Sequence, residues 1–230
     1  MQVVRQASCE EIFPYIAYLP ERISDHPALL IQLHGAGERG VGEVDLDKVL
    51  IHGFSNVVND ENLRDCVLVM PQCSPDSFWV AKIESIKKFI DIMLDKFRID
   101  PDRVYLCGMS MGGFGTWYTA MAYPGVFAAI IPCCGGGMAW NARVLTMPIW
   151  AFHGLKDTVV LPKNTMEMID ALKDWSTHLK YTFFENVGHE SWRVAFSEET
   201  LRWILTQRRM KNERVLSYAE SPELKNRASR

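Results

Sequence analysis

Apolar residues along this chain follow two rhythms, and their alternation predicts a layered α/β architecture. Short, nearly continuous apolar runs at residues 13–19, 28–33, 67–70, 103–107, 127–131, 148–152 and 181–184 read as strands fit for burial on both faces. Between them the spacing lengthens to threes and fours. Ile83, Ile86, Phe89, Ile90, Met93 and Leu94 form one face of a helix over 82–97, with Lys and Asp on the other face. Similar patterns at 110–123, 163–172 and 198–205 predict further helices, and neither an internal repeat nor a low-complexity tract interrupts the series. Such an alternation gives a mostly parallel sheet covered by helices on both sides, with ligands gathering at the carboxyl ends of the strands. The loops after residues 33, 70, 110, 152 and 184 then share one edge.

The sharpest change of rhythm falls at Gly108-Met109-Ser110-Met111-Gly112, where a buried strand turns directly into a helix. A G-x-S-x-G turn of this kind forces the serine into a strained conformation and lifts its hydroxyl out at the end of the sheet. A serine hydroxyl is a weak nucleophile near neutral pH, so it needs a base, and the base needs a group that fixes its tautomer. Among His26, His34, His52, His153, His178 and His189, only His189 sits in a loop directly after the last strand, within Gly188-His189-Glu190-Ser191-Trp192. His34 and His153 each close a strand before a glycine, positions suited to fixing a loop through backbone hydrogen bonds. Asp157, a few residues beyond the 148–152 strand, is the candidate acid, and Asp170 and Asp174 fall on a helix facing water. The chain order Ser110, Asp157, His189 is the order of an α/β-hydrolase triad. An oxyanion formed at Ser110 needs preorganised donors. The N–H of Met111 is one, and Ala36 or Gly37 in the glycine-rich loop His34-Gly35-Ala36-Gly37 is the other.

Composition narrows the functional classes. The 230 residues are 48% hydrophobic and 23% charged, as in a soluble globular domain. A net charge of −3 with dispersed basic residues argues against nucleic acid as a partner, and no apolar run approaches the ~20 residues that span a bilayer. The start lacks the apolar core of a secretory signal and reads as cytoplasmic. The six cysteines, Cys9, Cys66, Cys73, Cys107, Cys133 and Cys134, form no C-x-x-C pair and read as reduced and buried, with Cys73 nearest the presumed site. Trp79, Phe114, Trp140 and Trp192 adjoin the motifs; Trp79 and Trp192, in loops at the active edge, are the candidate substrate-binding aromatics. Residues 1–207 read as a single domain, and 208–230 as a charged tail: a frayed helix, a disordered end, or a surface that packs on a second copy in a homodimer.

Together, the loop at 34–40, Pro71-Gln72-Cys73 with Trp79, the serine turn, His153-Gly154-Leu155-Lys156-Asp157 and Gly188-His189 resemble the α/β-hydrolase superfamily. More narrowly, they look like its small carboxylesterase branch, related to dienelactone hydrolases, polyhydroxybutyrate depolymerase-like and feruloyl esterases and to the catalytic domain of prolyl oligopeptidases. The resemblance covers roughly residues 10–205. It implies an α/β-hydrolase fold and a serine esterase acting on small-molecule esters through Ser110, Asp157 and His189, with no metal or organic cofactor; the intervals between strands leave little room for a lid. The oxyanion loop departs from the pattern in carrying Ala36 where many esterases have a third glycine. A peptidase using the same triad and a non-catalytic binding module are the rival readings. The first would usually carry a gating domain, and the second would usually lack a triad member.

Overall fold

The computed structural model describes residues 1–7 and 12–210. Among these residues eight strands form one sheet: β1 (Gln2–Gln6), β2 (Tyr15–Leu19), β3 (Ala28–Leu33), β4 (Cys66–Pro71), β5 (Val104–Met109), β6 (Ala129–Cys133), β7 (Ile149–Gly154) and β8 (Leu179–Phe184). Their order across the sheet is β1-β2-β4-β3-β5-β6-β7-β8. The two outer pairings at the β1 end are antiparallel, and every pairing from β4 through β8 is parallel. Among the described residues the helices are α1 (Asp60–Leu63), α2 (Ile83–Lys96), α3 (Met111–Ala122), α4 (Lys163–Leu172), α5 (Trp192–Ala195) and α6 (Glu198–Leu205). This is the mostly parallel, helix-covered sheet that the two rhythms predict, in the α/β-hydrolase arrangement that the resemblance implies.

All residues of β3, β4, β5, β6 and β7 are buried, because helices cover both faces of the sheet. The pleat sorts them. Leu29, Ile31 and Leu33 of β3 join a core with Ile86, Phe89, Ile90 and Met93 of α2, Trp117 of α3 and Met168 of α4. Ala28 and Leu30 point the other way, into a core with Phe54, Trp192, Leu201 and Ile204. Each large apolar side chain so buried stabilises the fold by roughly 1.5–3 kcal/mol. The start of α6 is held by a capping box in which the Ser197 and Thr200 side chains each accept a bond from the other's backbone N–H.

Two strands differ from the sequence reading. β1 carries no apolar run and is mostly exposed, so periodicity passes over it; its partner β2 supplies the hydrogen-bonding edge that makes it a strand. β8 is an edge strand with a half-exposed pattern, not one buried on both faces. The connection that leaves the carboxyl edge after β3 and runs to β4 holds 3-10 turns at Ala36–Glu38, Leu46–Leu50 and Phe54–Asn56. At the far end of the described chain, Tyr105 donates to the Gln207 carbonyl at 2.7 Å, Arg208 pairs with Asp100 at 3.2 Å, and Arg209 Nε bonds Asp102 at 2.8 Å. The rest of the charged tail, like Cys9, lies outside the described residues. Among the described residues no helix is long and apolar enough to cross a membrane.

Candidate active site

The serine turn is built as the glycines demand. Ser110 has φ 53° and ψ −117°, a conformation that costs a non-glycine residue energy and is held by its surroundings. Its N–H donates to the Cys133 carbonyl at 3.0 Å and also lies 3.2 Å from Cys134 Sγ, which anchors the turn to the end of β6. A side-chain carbon on Gly108 would strike the Gly112 carbonyl, and one on Gly112 would strike the Leu33 carbonyl. Only bare glycines let β5, α3 and the end of β3 close this tightly around the serine.

His189 and Asp157 meet Ser110 there. The Ser110 Oγ and His189 Nε2 are 2.9 Å apart, and His189 Nδ1 is 2.8 Å from Asp157 Oδ2. Asp157 is buried, and its other oxygen, Oδ1, accepts the N–H groups of Val159 and Val160 at 2.9 and 3.0 Å. Burial pushes the Asp157 carboxyl up, but the bonds from His189 and from the two backbone amides outweigh it and hold the carboxyl below its ordinary range. The residues therefore form a hydrogen-bonded relay from hydroxyl to imidazole to a fixed carboxylate.

A second histidine shares that carboxylate. His153 Nε2 lies 3.2 Å from Asp157 Oδ2 and 2.9 Å from the Val160 carbonyl, and its Nδ1 is 2.7 Å from Thr165 Oγ1. The loop-fixing role expected of His153 is present in the Val160 bond, and its grip on Asp157 comes in addition. Burial lowers the His153 pKa and keeps it neutral, with the Nε2 proton facing its two acceptors. The sequence signal for this contact is the four-residue interval from His153 to Asp157 across the strand-end turn. Cys134 is the other residue that motif reading passes over. Its sulfur and the ligand atoms of Asp157 and His189 lie within 4.8 Å of one another. Burial raises the Cys134 thiol well above its usual range, so it is a protonated, neutral wall of the site.

The loop after β3 is pinned from three sides. His34 Nδ1–H donates to the Gly35 carbonyl at 2.6 Å, and His34 Nε2 accepts the Cys73 N–H at 2.9 Å. Burial lowers the His34 pKa to about 4, consistent with this neutral tautomer. Arg39 bonds the carbonyls of Ala36, Pro75 and Ser77. Gly35 is the residue placed against the serine, and Ala36 and Gly37 follow it into solvent.

The aromatic candidates separate. Trp79 is not a substrate-binding residue: it is fully buried, its indole N–H donates to the His34 carbonyl at 2.9 Å, and its ring packs edge-on against Phe13 and His34. It braces the loop from beneath. Trp192 is also buried, but its ring stands edge-on to His189 with centroids 5.1 Å apart and leans on His52 at 5.5 Å. Trp140 is 82% exposed, and Phe114 is half-buried on α3. Cys73 is buried, which pushes its thiol up to about 11.

The chain is similar to several known esterases. The chain is 25% identical over 220 residues to feruloyl esterase B of Neurospora crassa, a match covering 74% of this chain and 72% of that protein. It is 30% identical over 158 residues to a bifunctional acetylxylan esterase/xylanase of Neocallimastix patriciarum, covering 62% of this chain and 21% of that one. Among solved structures, a thermostable esterase superposes with a TM-score of 0.77 at 28% identity; the match covers 90% of this chain and 63% of that chain, so this chain spans less than two thirds of its length. Residues 17–200 match the phospholipase/carboxylesterase family, to which this chain belongs.

Proposed function

We propose that the chain is a serine carboxylesterase that works through an acyl-enzyme. The observation that carries this reading is the relay of Ser110 to His189 at 2.9 Å and His189 to Asp157 at 2.8 Å, mounted on a strained strand-to-helix turn. His189 Nε2 takes the Ser110 proton while Oγ attacks the ester carbonyl. Asp157, held by His189, His153, Val159 and Val160, stays ionised and keeps the Nδ1 proton in place. The oxyanion accepts bonds from the N–H of Met111, the first residue of α3, and from Ala36. Ala36 is favoured over Gly37 because it adjoins Gly35, whose added side-chain carbon would lie 3.8 Å from Ser110 Cβ, whereas one on Gly37 would meet nothing within 4 Å. The protonated His189 then hands its proton to the leaving alcohol, and water repeats the sequence in reverse to free the acid. Feruloyl and acetylxylan esterases are among the relatives, so hydroxycinnamoyl and acetyl esters are the first substrates to try.

The test is hydrolysis of a p-nitrophenyl ester series, acetate to decanoate plus ferulate, by wild type and Ser110→Ala. The expected result is turnover that falls on the order of 10⁶-fold in the variant. Folded wild-type protein inert on every ester, or a variant as active as wild type, overturns the proposal. Matched anilides distinguish a peptidase, which would cleave both series.

A further inference from the structure

Beside the relay lies a pair of side chains that the reaction does not use. Glu38 ends the short 3-10 turn that follows Gly35, and it is only 8% exposed. A buried carboxylate ordinarily collects hydrogen bonds, since its oxygens are acceptors only and desolvation is costly. Among the described residues, none reaches either oxygen of Glu38. Its one ionic neighbour is His52, with Nε2 4.0 Å from Oε1, beyond hydrogen-bond length. Neither oxygen is among the sealed, unpaired atoms, so the little exposure that Glu38 keeps includes its carboxylate.

The pair lies next to the nucleophile. A side-chain carbon on Gly35 would sit 3.0 Å from Glu38 Oε2 and 3.8 Å from Ser110 Cβ, so the carboxylate and the serine flank the same bare glycine. A continuous set of contacts also runs from His189 to Trp192 and from Trp192 to His52, which faces Glu38. His189 must stand beside the leaving oxygen to protonate it. Residues contiguous with His189 therefore flank the alcohol half of the ester, not the acyl half.

We infer that Glu38 and His52 form a hydroxyl-binding subsite for the alcohol portion of the substrate, selecting esters whose alcohol carries further hydroxyl groups, as in a glycerol or a sugar. The inference rests on the carboxylesterase reading above. A 4.0 Å gap between an acceptor and an imidazole nitrogen is the span that one hydroxyl bridges, donating to the carboxylate and accepting from the imidazole N–H. An ammonium group would satisfy the carboxylate alone and leave the imidazole without an acceptor. A plain alkyl alcohol would cover the carboxylate and satisfy neither.

The experiment takes the acyl group of the best p-nitrophenyl ester and compares its ethyl, 2,3-dihydroxypropyl and choline esters, using wild type, Glu38→Gln and His52→Ala, each checked for a wild-type unfolding transition. Wild type is expected to prefer the dihydroxypropyl ester over the ethyl ester in kcat/KM. Removing a charged hydrogen-bond acceptor should lower that ratio roughly ten- to hundredfold in Glu38→Gln. His52→Ala should lower it less. A purely structural role scales both esters together and leaves the ratio unchanged, which overturns the inference, as does a wild-type preference for the ethyl or choline ester. Loss of Ser110-dependent hydrolysis from every p-nitrophenyl ester would instead sink the underlying esterase reading, so the two failures are separable.

Discussion

At the scale of single residues, Asp157 shows how much a site depends on which atom faces which. Its Oδ1 receives two backbone N–H groups and its Oδ2 receives two imidazoles. In Asp157→Asn the amide oxygen must stay on the Val159 and Val160 side, because an NH₂ there would face two donors. The NH₂ then replaces Oδ2 and confronts the N–H of His189. His189 can escape only by moving its proton to Nε2, where it no longer accepts the proton of Ser110. Turnover should fall by about 10⁴-fold with the fold intact, as for a wrong tautomer in comparable triads; kcat on the best p-nitrophenyl ester, with circular dichroism as the check on folding, measures it. A loss under about tenfold would mean that Asp157 does not set the tautomer. That Ser110, Asp157 and His189 meet was legible in the sequence because each closes a strand or follows one. The turn of His153 onto Asp157 and of Glu38 toward Gly35 was not, since neither motif nor period says which way a loop side chain turns.

At the scale of elements, the turn between β5 and α3 gathers backbone from β3 and β6 as well. Gly112 is where α3 presses on β3, and an added methyl would meet the Leu33 and His34 carbonyls. Backbone cannot move aside as a side chain can, so Gly112→Ala should destabilise the protein by about 1–3 kcal/mol. Gly125, exposed and with nothing within 4 Å of an added carbon, is the control: Gly125→Ala should stay within about 0.5 kcal/mol. Urea unfolding midpoints of the two variants give the comparison, and equal values would show that the close packing at Gly112 yields without cost. The elements most visible in the sequence were those whose burial is complete or cleanly amphipathic. Helices α4 and α6 span the same residues as their apolar periods, and β3 coincides with its apolar run. β1, β8 and the 3-10 turns were hidden or misjudged because their conformation is set by neighbours and not by their own pattern of burial.

At the scale of the whole molecule, the parallel sheet brings loops distant in the chain to one edge, and buried polar groups tie those loops together. His34 is such a tie, joining the end of β3 to the segment after β4 through the Cys73 N–H. The link has a consequence for stability against pH. Burial lowers the His34 pKa to about 4 from the 6.5 of an exposed imidazole. Between these values the unfolded chain takes up a proton that the folded chain excludes. Stability should therefore be independent of this group above pH 6.5, fall as pH drops from 6.5 toward 4, and level off below, where both states are protonated. The full excursion is about 3 kcal/mol. His153, lowered in the same direction by burial, adds to the fall. Asp157, with its carboxyl depressed, contributes stability that is present above its unfolded value of 3.8 and is lost only as pH drops through its lower folded value. Denaturation of wild type and His34→Gln across pH 4–7 isolates the first contribution, since glutamine can still offer a donor and an acceptor but does not titrate. The variant should be less stable at pH 7, where a well-fitted imidazole has been lost, and should lose less stability on acidification. Parallel curves for the two proteins would show that the joint between β3 and β4 opens without protonating His34, and that acid weakens the molecule elsewhere.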